Sequence, residues 1–456
     1  MAGIGFELRK ILKRDNLVSL VQAYGFAAVI SSGPWLLSIF GILVIGMLNY
    51  SLTVPNRFIE EFQVSVTYLI AFSLILSGVF QLAFTRFTAD RLFEKRRHLI
   101  GPAFYGVTLV LTAVSGVCGV LATLFLFPEQ SVLFRLLFLA AFVVLCNIWI
   151  ATIFLSGMKR YKQIVWLYFL GYTVTVLGAQ LLRGWQLEGL MAGFLIGQSF
   201  LLFGMMVLIA RDFPAQTLMS FDFFSGKYLY PSLMLIGVLY NLAVWVDKFI
   251  FWFTTETSQA IIGPLRASVI YDMPVFLAYV SIIPGMAIFL LRLETDFVEE
   301  YDGFYYAVRT GGSLETIERF RNGMVATVRL GIFEIVKVQA MASLILLIAG
   351  EQLLTWMGIS TLYLPLLYVD VIGAGLQVVL LGILNVFFYL DKRRIVLWLC
   401  FAFVVLNLLF TWISILLGPA FYGYGFAVSV LVVVVGSFVL LSRKLAVLEY
   451  ETFMLQ

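Results

Sequence analysis

Charged side chains inside long apolar runs are the residues of this sequence that are best suited to chemistry in a membrane. Asp370 is the deepest of them, about seven residues from one end of its run, and Asp247-Lys248 lie near one end of another run. An ionisable group at membrane depth is costly and commonly marks an ion or substrate pathway. We therefore predict that Asp370 and Asp247 act in transport. Proton coupling through Asp370 is a further hypothesis, because a low dielectric favours the neutral carboxyl group.

Other polar residues in the apolar runs extend this candidate pathway. Glu334 and Lys337 are one helical turn apart, a spacing that predicts a local ion pair. Trp149, Trp245 and Tyr279 lie in runs that also carry amides and carboxylates, a combination that suits a sugar, whose C–H face stacks and whose hydroxyls form hydrogen bonds. The same aromatic residues are also ordinary components of membrane spans. The remaining candidates for the pathway or for coupling are Lys248, Asp272, Asn147, Asn241 and Gln377.

Two apolar runs are interrupted by helix-breaking residues. The run "YGFAAVISSGPWLLSIFGILVIGML" holds Ser31-Ser32-Gly33-Pro34 in its middle. Proline removes a helical hydrogen bond, and irregular backbone in a membrane survives only where protein buries it or water reaches it. We expect hinges in the wall of a wet cavity, with the serine hydroxyls facing water; statically kinked helices are the alternative. The hinge candidates are Gly33, Pro34, Pro274, Pro284 and Gly285.

Several classes of chemistry lack the residues that they need. The chain has one histidine, His98, in a basic segment, and its three cysteines lie in apolar runs without metal-ligand spacing. The nearest Gly-Lys pair, Gly226-Lys227, has Phe221 where a phosphate-binding loop needs its first glycine. No cofactor, metal or catalytic residue is predicted. The sequence therefore favours a protein that is not an enzyme and does not hydrolyse ATP itself.

Composition places the elements that position these residues in a membrane. Of 456 residues, 62% are hydrophobic and only 12% are charged, about half the charged share of a typical soluble domain. A bilayer core of about 30 Å needs roughly 20 apolar residues of helix. The sequence then predicts an all-α polytopic membrane protein with twelve spans: about 22–48, 64–85, 101–127, 132–156, 164–182, 190–210, 229–253, 268–291, 330–349, 364–390, 395–417 and 425–442.

The distribution of basic residues predicts the orientation of these spans. Of the 30 Lys and Arg residues, Lys248 and Lys337 lie in spans. With the N-terminus in the cytoplasm, 24 of the other 28 fall on the cytoplasmic side, as expected for a protein inserted with its positive loops inside. The remaining four, on the opposite side, are Arg57, Arg135, Arg183 and Arg266. Both termini are therefore predicted to be cytoplasmic. No nucleic-acid partner is expected; the bilayer is the predicted surroundings.

The polar segments on the cytoplasmic side offer surfaces for a partner. In 292–329 the second half predicts an amphipathic helix that lies on the membrane surface and leads into the ninth span. Its acidic and aromatic first half is either a docking site or a solvated loop. The N-terminal segment 4–18 and the loop 86–98 are further docking segments. The individual docking candidates are Arg96, Arg97, Glu299, Tyr301 and Tyr305.

Several runs resemble the PelG family, the inner-membrane transporters of the bacterial Pel exopolysaccharide system. They include "MAGIGFELRKIL", "YGFAAVISSGPWLLSI", "FSGKYLYPSL", "WVDKFIFW", "YDMPVFLAYVSIIPGMAIFLLRLETDFVEEYDGFYYAV" and "LNVFFYLDKRR", and the resemblance covers essentially the whole chain. It implies the MOP/MATE-like fold of polysaccharide transporters, with two six-helix lobes around a central cavity. The implied parts are a cytoplasmic N-terminal segment 1–21, an N-lobe 22–210, a linker 211–228, a C-lobe 229–442 with the insert 292–329, and a cytoplasmic tail 443–456.

The resemblance also implies a substrate and partners. The substrate is a growing amino-sugar polymer made by the cytosolic glycosyltransferase PelF, and the polymer contributes to a biofilm matrix. The membrane partners are PelD, which senses cyclic di-GMP, and PelE. No established motif of ligand residues carries over to this chain.

Three alternatives stay open at this point. The same fold serves flippases, which would move a lipid-linked oligosaccharide. A membrane scaffold that holds a synthase together would tolerate neutralised carboxylates and filled hinges, unlike a transporter. A membrane-embedded transferase should show an essential acid or base near a membrane surface, and the sequence offers no histidine there.

Overall fold

The protein is almost entirely helical over the part of the chain that the structure describes. The computed structural model describes residues 16–49, 57–158, 160–214, 217–226 and 229–454. Residues 1–15, most of the predicted N-terminal docking segment, lie outside it. The first seven helices are α1 (Leu17–Asn49), α2 (Arg57–Phe93), α3 (Ile100–Leu126), α4 (Val132–Gly157), α5 (Tyr161–Leu181), α6 (Gln186–Asp212) and α7 (Pro231–Phe253).

A short hairpin separates these helices from the second set. The strands are β1 (Gln259–Ile262) and β2 (Leu265–Ala267). The later helices are α8 (Val269–Val280), α9 (Ile283–Leu291), α10 (Val298–Thr310), α11 (Leu314–Trp356), α12 (Leu364–Tyr389), α13 (Arg393–Leu417), α14 (Tyr424–Ala446) and α15 (Leu448–Met454). Single 3₁₀ turns span Arg97–Leu99, Arg183–Trp185, Asp222–Phe224, Thr361–Tyr363 and Pro419–Phe421, and a π turn spans Arg292–Phe297.

The number of membrane spans agrees with the sequence prediction. Within the described residues, eleven helical segments are long and apolar enough to cross a bilayer, and the bent helix α1 supplies a twelfth. The predicted tight connections are confirmed, since α3 is followed by α4 after residues 127–131 and α12 by α13 after residues 390–392. The all-α polytopic fold class is therefore confirmed.

The helices form two compact units. The N-terminal unit comprises residues 33–245 and 251–268, and the C-terminal unit comprises residues 1–32, 246–250 and 269–456. In the N-terminal unit, buried phenylalanine rings join α2, α3 and α4 to the 3₁₀ turn after α6: Phe84, Phe104, Phe154 and Phe223 have ring centroids 5.2 to 6.2 Å apart in successive contacts. Edge-to-face and tilted packing of this kind is favourable beyond the area that it buries.

Helix α12 is the centre of the C-terminal unit. Of the residues in its most apolar window, 72% are buried, the highest share among the spans. Leu367, Val371 and Ala374 pack into a core with Leu277 of α8 and Leu354 of α11. A side chain on this helix therefore meets protein on most sides, and Asp370 is on it.

The proline in α1 coincides with a sharp bend. The axis turns by 64° between Gln22–Pro34 and Leu36–Leu48, which fits the missing hydrogen bond and the ring clash of Pro34. Ser32 is fully buried and so does not face water as expected, whereas Ser31 is half-buried and donates to the carbonyl of Ala28 at 3.3 Å. In a low dielectric a hydroxyl satisfies itself on the nearest helical carbonyl.

The eighth predicted span is broken just before Pro284-Gly285, the second of its two proline positions. Helix α8 ends at Val280 and α9 begins at Ile283, with Pro284 in its first turn, where a missing N–H costs nothing. Gln339 of α11 donates to the carbonyl of Ser281 at 3.2 Å and so caps the break. A Cβ on Gly285 would lie 2.5 Å from Oε1 of Gln339, so the Gln339 side chain would have to shift to admit a larger residue there.

The segment after the eighth span differs from the sequence prediction. Residues 292–310 form a π turn and helix α10, and Phe297 and Phe304 within them are fully buried. The alternative of a solvated loop is therefore wrong. Helix α11 then runs without interruption for 43 residues through the amphipathic part and the ninth span. The break needed to lay the amphipathic part flat on the membrane is absent, because the helical hydrogen bonds continue from one part into the other.

The hairpin was not predicted. Strands β1 and β2 pair antiparallel around Gly263, whose φ is +52°. The hydroxyl of Tyr68 on α2 donates to the carbonyl of Arg266 at 2.9 Å, and the Tyr68 ring stacks on Trp252 with centroids 4.5 Å apart. The hairpin is therefore anchored to the N-terminal unit.

Candidate functional site

A buried ion pair on α7 is the first component of the candidate site. Asp247 is fully buried and Lys248 is 7% exposed. Consecutive residues on a helix do not face each other, but the long lysine side chain bends back, so that its Nζ lies 3.0 Å from Oδ2 and 3.3 Å from Oδ1 of Asp247. Burial of both charges is tolerable only with close pairing and further hydrogen bonds.

Two other helices supply those hydrogen bonds. The hydroxyl of Tyr271 on α8 donates to Oδ2 of Asp247 at 2.7 Å. Nδ2 of Asn407 on α13 approaches Oδ1 at 3.4 Å, and Thr411 one turn later donates to Oδ1 of Asn407 at 2.9 Å. Asp247 thus accepts from three side chains.

Asp370 on α12 is the second carboxylate, and it lacks such partners. It is 1% exposed, and neither of its oxygens has a hydrogen-bond partner among the described residues. It lies within electrostatic range of Asp247 and Lys248. A buried ionised group without donors costs far more than a paired one. Asp370 is therefore a buried carboxylate whose charge no donor among the described residues compensates.

Aromatic rings enclose the ammonium group on its other sides. Nζ of Lys248 lies 5.0 Å from the ring centroid of Tyr279 and 5.4 Å from that of Phe426, distances at which a cation is attracted to a ring face. The Tyr279 hydroxyl donates to Oε1 of Gln377 at 2.8 Å. We call Asp247, Lys248, Tyr271, Asp370 and Asn407 the charged cluster. With all three ionisable chains charged it carries one excess negative charge.

The structure brings together the most prominent of the predicted residues. Asp247, Lys248 and Asp370 are in the charged cluster, and Gln377 is bonded to a tyrosine beside it. Asp272 is half-buried next to Tyr271 on α8. The sequence analysis missed Asn407 and Thr411, although an amide in the middle of the apolar run "FVVLNLLFTW" was a usable signal.

The predicted ion pair between Glu334 and Lys337 is wrong. Glu334 instead accepts two hydrogen bonds from Arg292, at 2.5 Å from Nε and 2.9 Å from Nη2, while Lys337 is exposed. Arg292 also bonds Asp296 at 2.7 Å. A guanidinium offers a fork of donors that matches a carboxylate better than an ammonium does, so the arginine of the preceding π turn takes the carboxylate.

The amides of the N-terminal unit form hydrogen bonds within the unit. Asn147 donates to Thr112 and to the carbonyl of Val143, both at 2.9 Å, and Asn241 donates to the carbonyl of Leu74 at 2.9 Å. Nε1 of Trp149 donates to Ser73 at 2.9 Å. The donor atoms expected to bind sugar hydroxyls are therefore used for helix packing, whereas Oδ1 of Asn147 is buried without a partner among the described residues.

The predicted docking residues fall into two groups. Arg96, Arg97 and Glu299 are exposed. Tyr301 and Tyr305 are half-buried, because Tyr301 packs against Tyr305 with ring centroids 4.7 Å apart and against Tyr389 at 5.5 Å. These two tyrosines contribute to intramolecular packing.

Potential metal ligands do not cluster within the described residues. Among the residues that the structure describes, no three His, Cys, Asp or Glu side chains lie close enough together to hold a metal ion.

A family model matches nearly the whole chain. The model is that of PelG, described as "Putative exopolysaccharide Exporter (EPS-E)", and it matches residues 1–453. No protein of curated function matches the sequence.

Solved structures show the fold. The chain is similar to a multidrug resistance MATE family transporter of the MOP superfamily in an outward-facing conformation, with a TM-score of 0.66, 13% identity and 99% of each chain covered. It is also similar to a mutant of the Vibrio cholerae MATE transporter VcmN (TM-score 0.65, 10% identity, 97% of this chain and 98% of that one). A MOP superfamily transporter from Pyrococcus furiosus gives a TM-score of 0.61 at 13% identity, covering 98% and 99%.

Proposed function

This chain belongs to the PelG family of exopolysaccharide exporters, and from this premise we propose that it exports a growing amino-sugar polymer from the cytoplasm to the periplasm while a cytosolic glycosyltransferase extends it. The chain is a multi-pass membrane protein with a MOP-type transporter fold. The proposed membrane is the bacterial inner membrane, with both termini in the cytoplasm, in keeping with the distribution of Lys and Arg along the sequence.

The unpartnered Asp370 is the observation that supports a transporter over a scaffold. A protein that only holds a synthase together gains nothing from a buried carboxylate without a hydrogen-bond donor, and such groups persist where function requires them. A transporter can use the carboxylate to exchange a proton or to meet a cationic amine of the polymer. Lys248 and Asp247 supply the fixed charges next to it.

Chain elongation supplies the driving force in this proposal. The sequence has no phosphate-binding loop, and a polymerising enzyme releases free energy with every sugar that it adds. The proposed partners are a glycosyltransferase of the PelF kind on the cytoplasmic side and membrane proteins of the PelD and PelE kinds. The exposed Arg96, Arg97 and Glu299 are the proposed contacts for the glycosyltransferase.

The test is reconstitution of the full chain in proteoliposomes with the glycosyltransferase and nucleotide sugar on one side. We expect polymer on the far side, none without the chain, and a strong loss with Asp370→Asn. Glu351→Gln is the matched control, because it neutralises an exposed carboxylate of α11.

The other outcomes discriminate the alternatives. Elongation that needs the chain but leaves all polymer on the near side would favour the scaffold. Transfer of a lipid-linked oligosaccharide without the glycosyltransferase would favour the flippase. Full transport by Asp370→Asn would remove this carboxylate from the mechanism.

A further inference from the structure

An elongated groove runs between α11 and α14, within the C-terminal unit. Its volume is about 580 Å³, within the range of small-molecule sites. On α11 it is lined by one helical stripe from Arg321 to Val336, and on α14 by a stripe from Phe438 to Ala446. Phe333 and Val336 are exposed. The walls are apolar over most of this length.

Two arginines line the groove, Arg321 at one end of its α11 wall and Arg329 near the middle of that wall. Arg321 and Arg329 both line it, eight residues apart on α11 and thus on one face of the helix. Arg329 is exposed, and no ion pair or hydrogen bond of its side chain occurs within the described part of the chain. Arg321 pairs with Glu449 of α15 at 2.9 Å, with both side chains about one-third exposed. This polar part of the groove thus presents the exposed guanidinium of Arg329 and the partly buried carboxylate of Glu449.

The arrangement matches one class of molecule. From Arg321 to Arg329 the helix rises about 12 Å, and from Arg329 to Val336 the apolar part of the wall rises about 10 Å more, within the roughly 15 Å depth of one hydrocarbon leaflet. A positive part followed by an apolar trough of about 10 Å fits an anionic headgroup with the first part of its acyl chain. Basic residues at the headgroup level and apolar surface below them are the pattern that binds acidic lipids. The predicted orientation places the arginines at the cytoplasmic leaflet.

We propose that this groove is a binding site for an anionic phospholipid, with the phosphate on Arg329 and Arg321 and one acyl chain between α11 and α14. Glu449 competes with the phosphate for Arg321, because both are anions within reach of the same guanidinium. The site is separate from the charged cluster and does not depend on the proposed substrate.

Native mass spectrometry of the full chain in detergent tests the proposal. The probe is palmitoyl-oleoyl phosphatidylglycerol, compared with the phosphatidylcholine of the same chains. We expect preferential retention of one phosphatidylglycerol. Arg329→Gln should weaken that retention about tenfold, the effect of one lost charge-assisted hydrogen bond. Glu449→Gln should strengthen it about two- to fivefold, the range of an exposed ion pair.

Two further variants separate this groove from the general lipid surface. Arg319→Gln removes an exposed arginine of α11 that does not line the groove and whose guanidinium lies over Phe320, and it should leave retention unchanged. Val325→Trp places a bulky ring in the groove and should lower retention of phosphatidylglycerol as Arg329→Gln does.

Three results would overturn the lipid assignment. The first is equal retention of phosphatidylglycerol and phosphatidylcholine, and the second is equal loss with Arg319→Gln and Arg329→Gln. The third is a dimer of this chain that dissociates with Arg329→Gln while lipid retention stays constant, which would make the groove a protein interface.

Discussion

Asp370 is covered by the backbone of Gly423. A Cβ built on Gly423 would lie only 2.8 Å from Oδ1 of Asp370 and 2.6 Å from Leu366, and the glycine has a φ of +84°. Both the close approach and the left-handed backbone favour glycine over other residues at this position. The loop before α14 thus closes over the carboxylate without giving it a hydrogen bond.

The first prediction concerns this loop. Gly423→Ala should destabilise the protein by about 2–4 kcal/mol, because it combines left-handed backbone strain with a clash against Asp370. Gly311→Ala is the control: its φ of +69° brings a comparable left-handed strain, but nothing lies within 4 Å of its added Cβ. Thermal unfolding in detergent measures both. Equal losses in the two variants would contradict a specific contact with Asp370.

The second prediction concerns the stability of the charged cluster without its unpartnered carboxylate. Asp370→Asn keeps the shape of the side chain and removes a charge that no donor compensates. Stability should stay equal or rise, by about 1 kcal/mol or more, even as transport falls. Thermal unfolding at neutral pH is the measurement. A loss of several kcal/mol in the free energy of unfolding would show that the Asp370 carboxylate makes stabilising interactions that its surroundings do not indicate.

The third prediction is a loss of stability when the neighbouring Asp247 is neutralised. Asp247→Asn leaves Lys248 buried without its counter-charge and should cost about 3–5 kcal/mol. The double variant Asp247→Asn, Lys248→Met should recover much of that loss, because it removes the buried ammonium group that Asp247→Asn leaves without its paired carboxylate. A double-mutant cycle by chemical unfolding measures the coupling. Additive effects of the two changes would contradict the observed pairing at 3.0 Å.

The fourth prediction is a pH dependence of the C-terminal helix α15. Burial by itself opposes ionisation of Glu451, but hydrogen bonds from Lys392, at 2.6 Å, and from Lys444 outweigh it and hold the pKa of Glu451 below its usual value of 4.5. A lowered pKa means that the stabilisation is complete above pH 4.5 and is lost as the pH falls further.

Hydrogen exchange of residues 448–454 between pH 7 and pH 3 measures this dependence. Protection should fall below pH 4.5 in the native protein. In Glu451→Gln it should be low throughout and independent of pH over this range. Glu315→Gln, at an exposed carboxylate of α11, should behave like the native protein. Unchanged protection in Glu451→Gln would show that α15 is held by other contacts.

Much of the fold follows from hydropathy because the membrane imposes it. Each apolar run of about 20 residues had to become a span, and the predicted number of spans agrees with the structure. The ends did not follow: α2 covers Arg57–Phe93, whereas the prediction was 64–85, because helices continue past the apolar core with polar turns that hydropathy does not register. A search for apolar runs of span length also does not detect the hairpin of β1 and β2.

The candidate site was predictable in its ionisable members and not in their partners. Asp247, Lys248 and Asp370 are rare in apolar surroundings, so their positions drew attention. Which donor reaches which acceptor depends on how helices rotate and pack. Glu334 pairs with Arg292, which is 42 residues away in the sequence, and not with Lys337, which is one turn along the same helix. Asn407 reaches Asp247 from 160 residues away.

The unbroken α11 has a mechanical consequence. At 43 residues it is about 65 Å long, roughly twice the thickness of the hydrocarbon core, so its N-terminal part extends beyond the predicted span 330–349. Because one unbroken helix joins the two parts, any tilt of the span is transmitted to the part beyond it. A tilt of 10° would displace the end near Leu314 by about 4 Å, as the rise per residue over 314–330 implies.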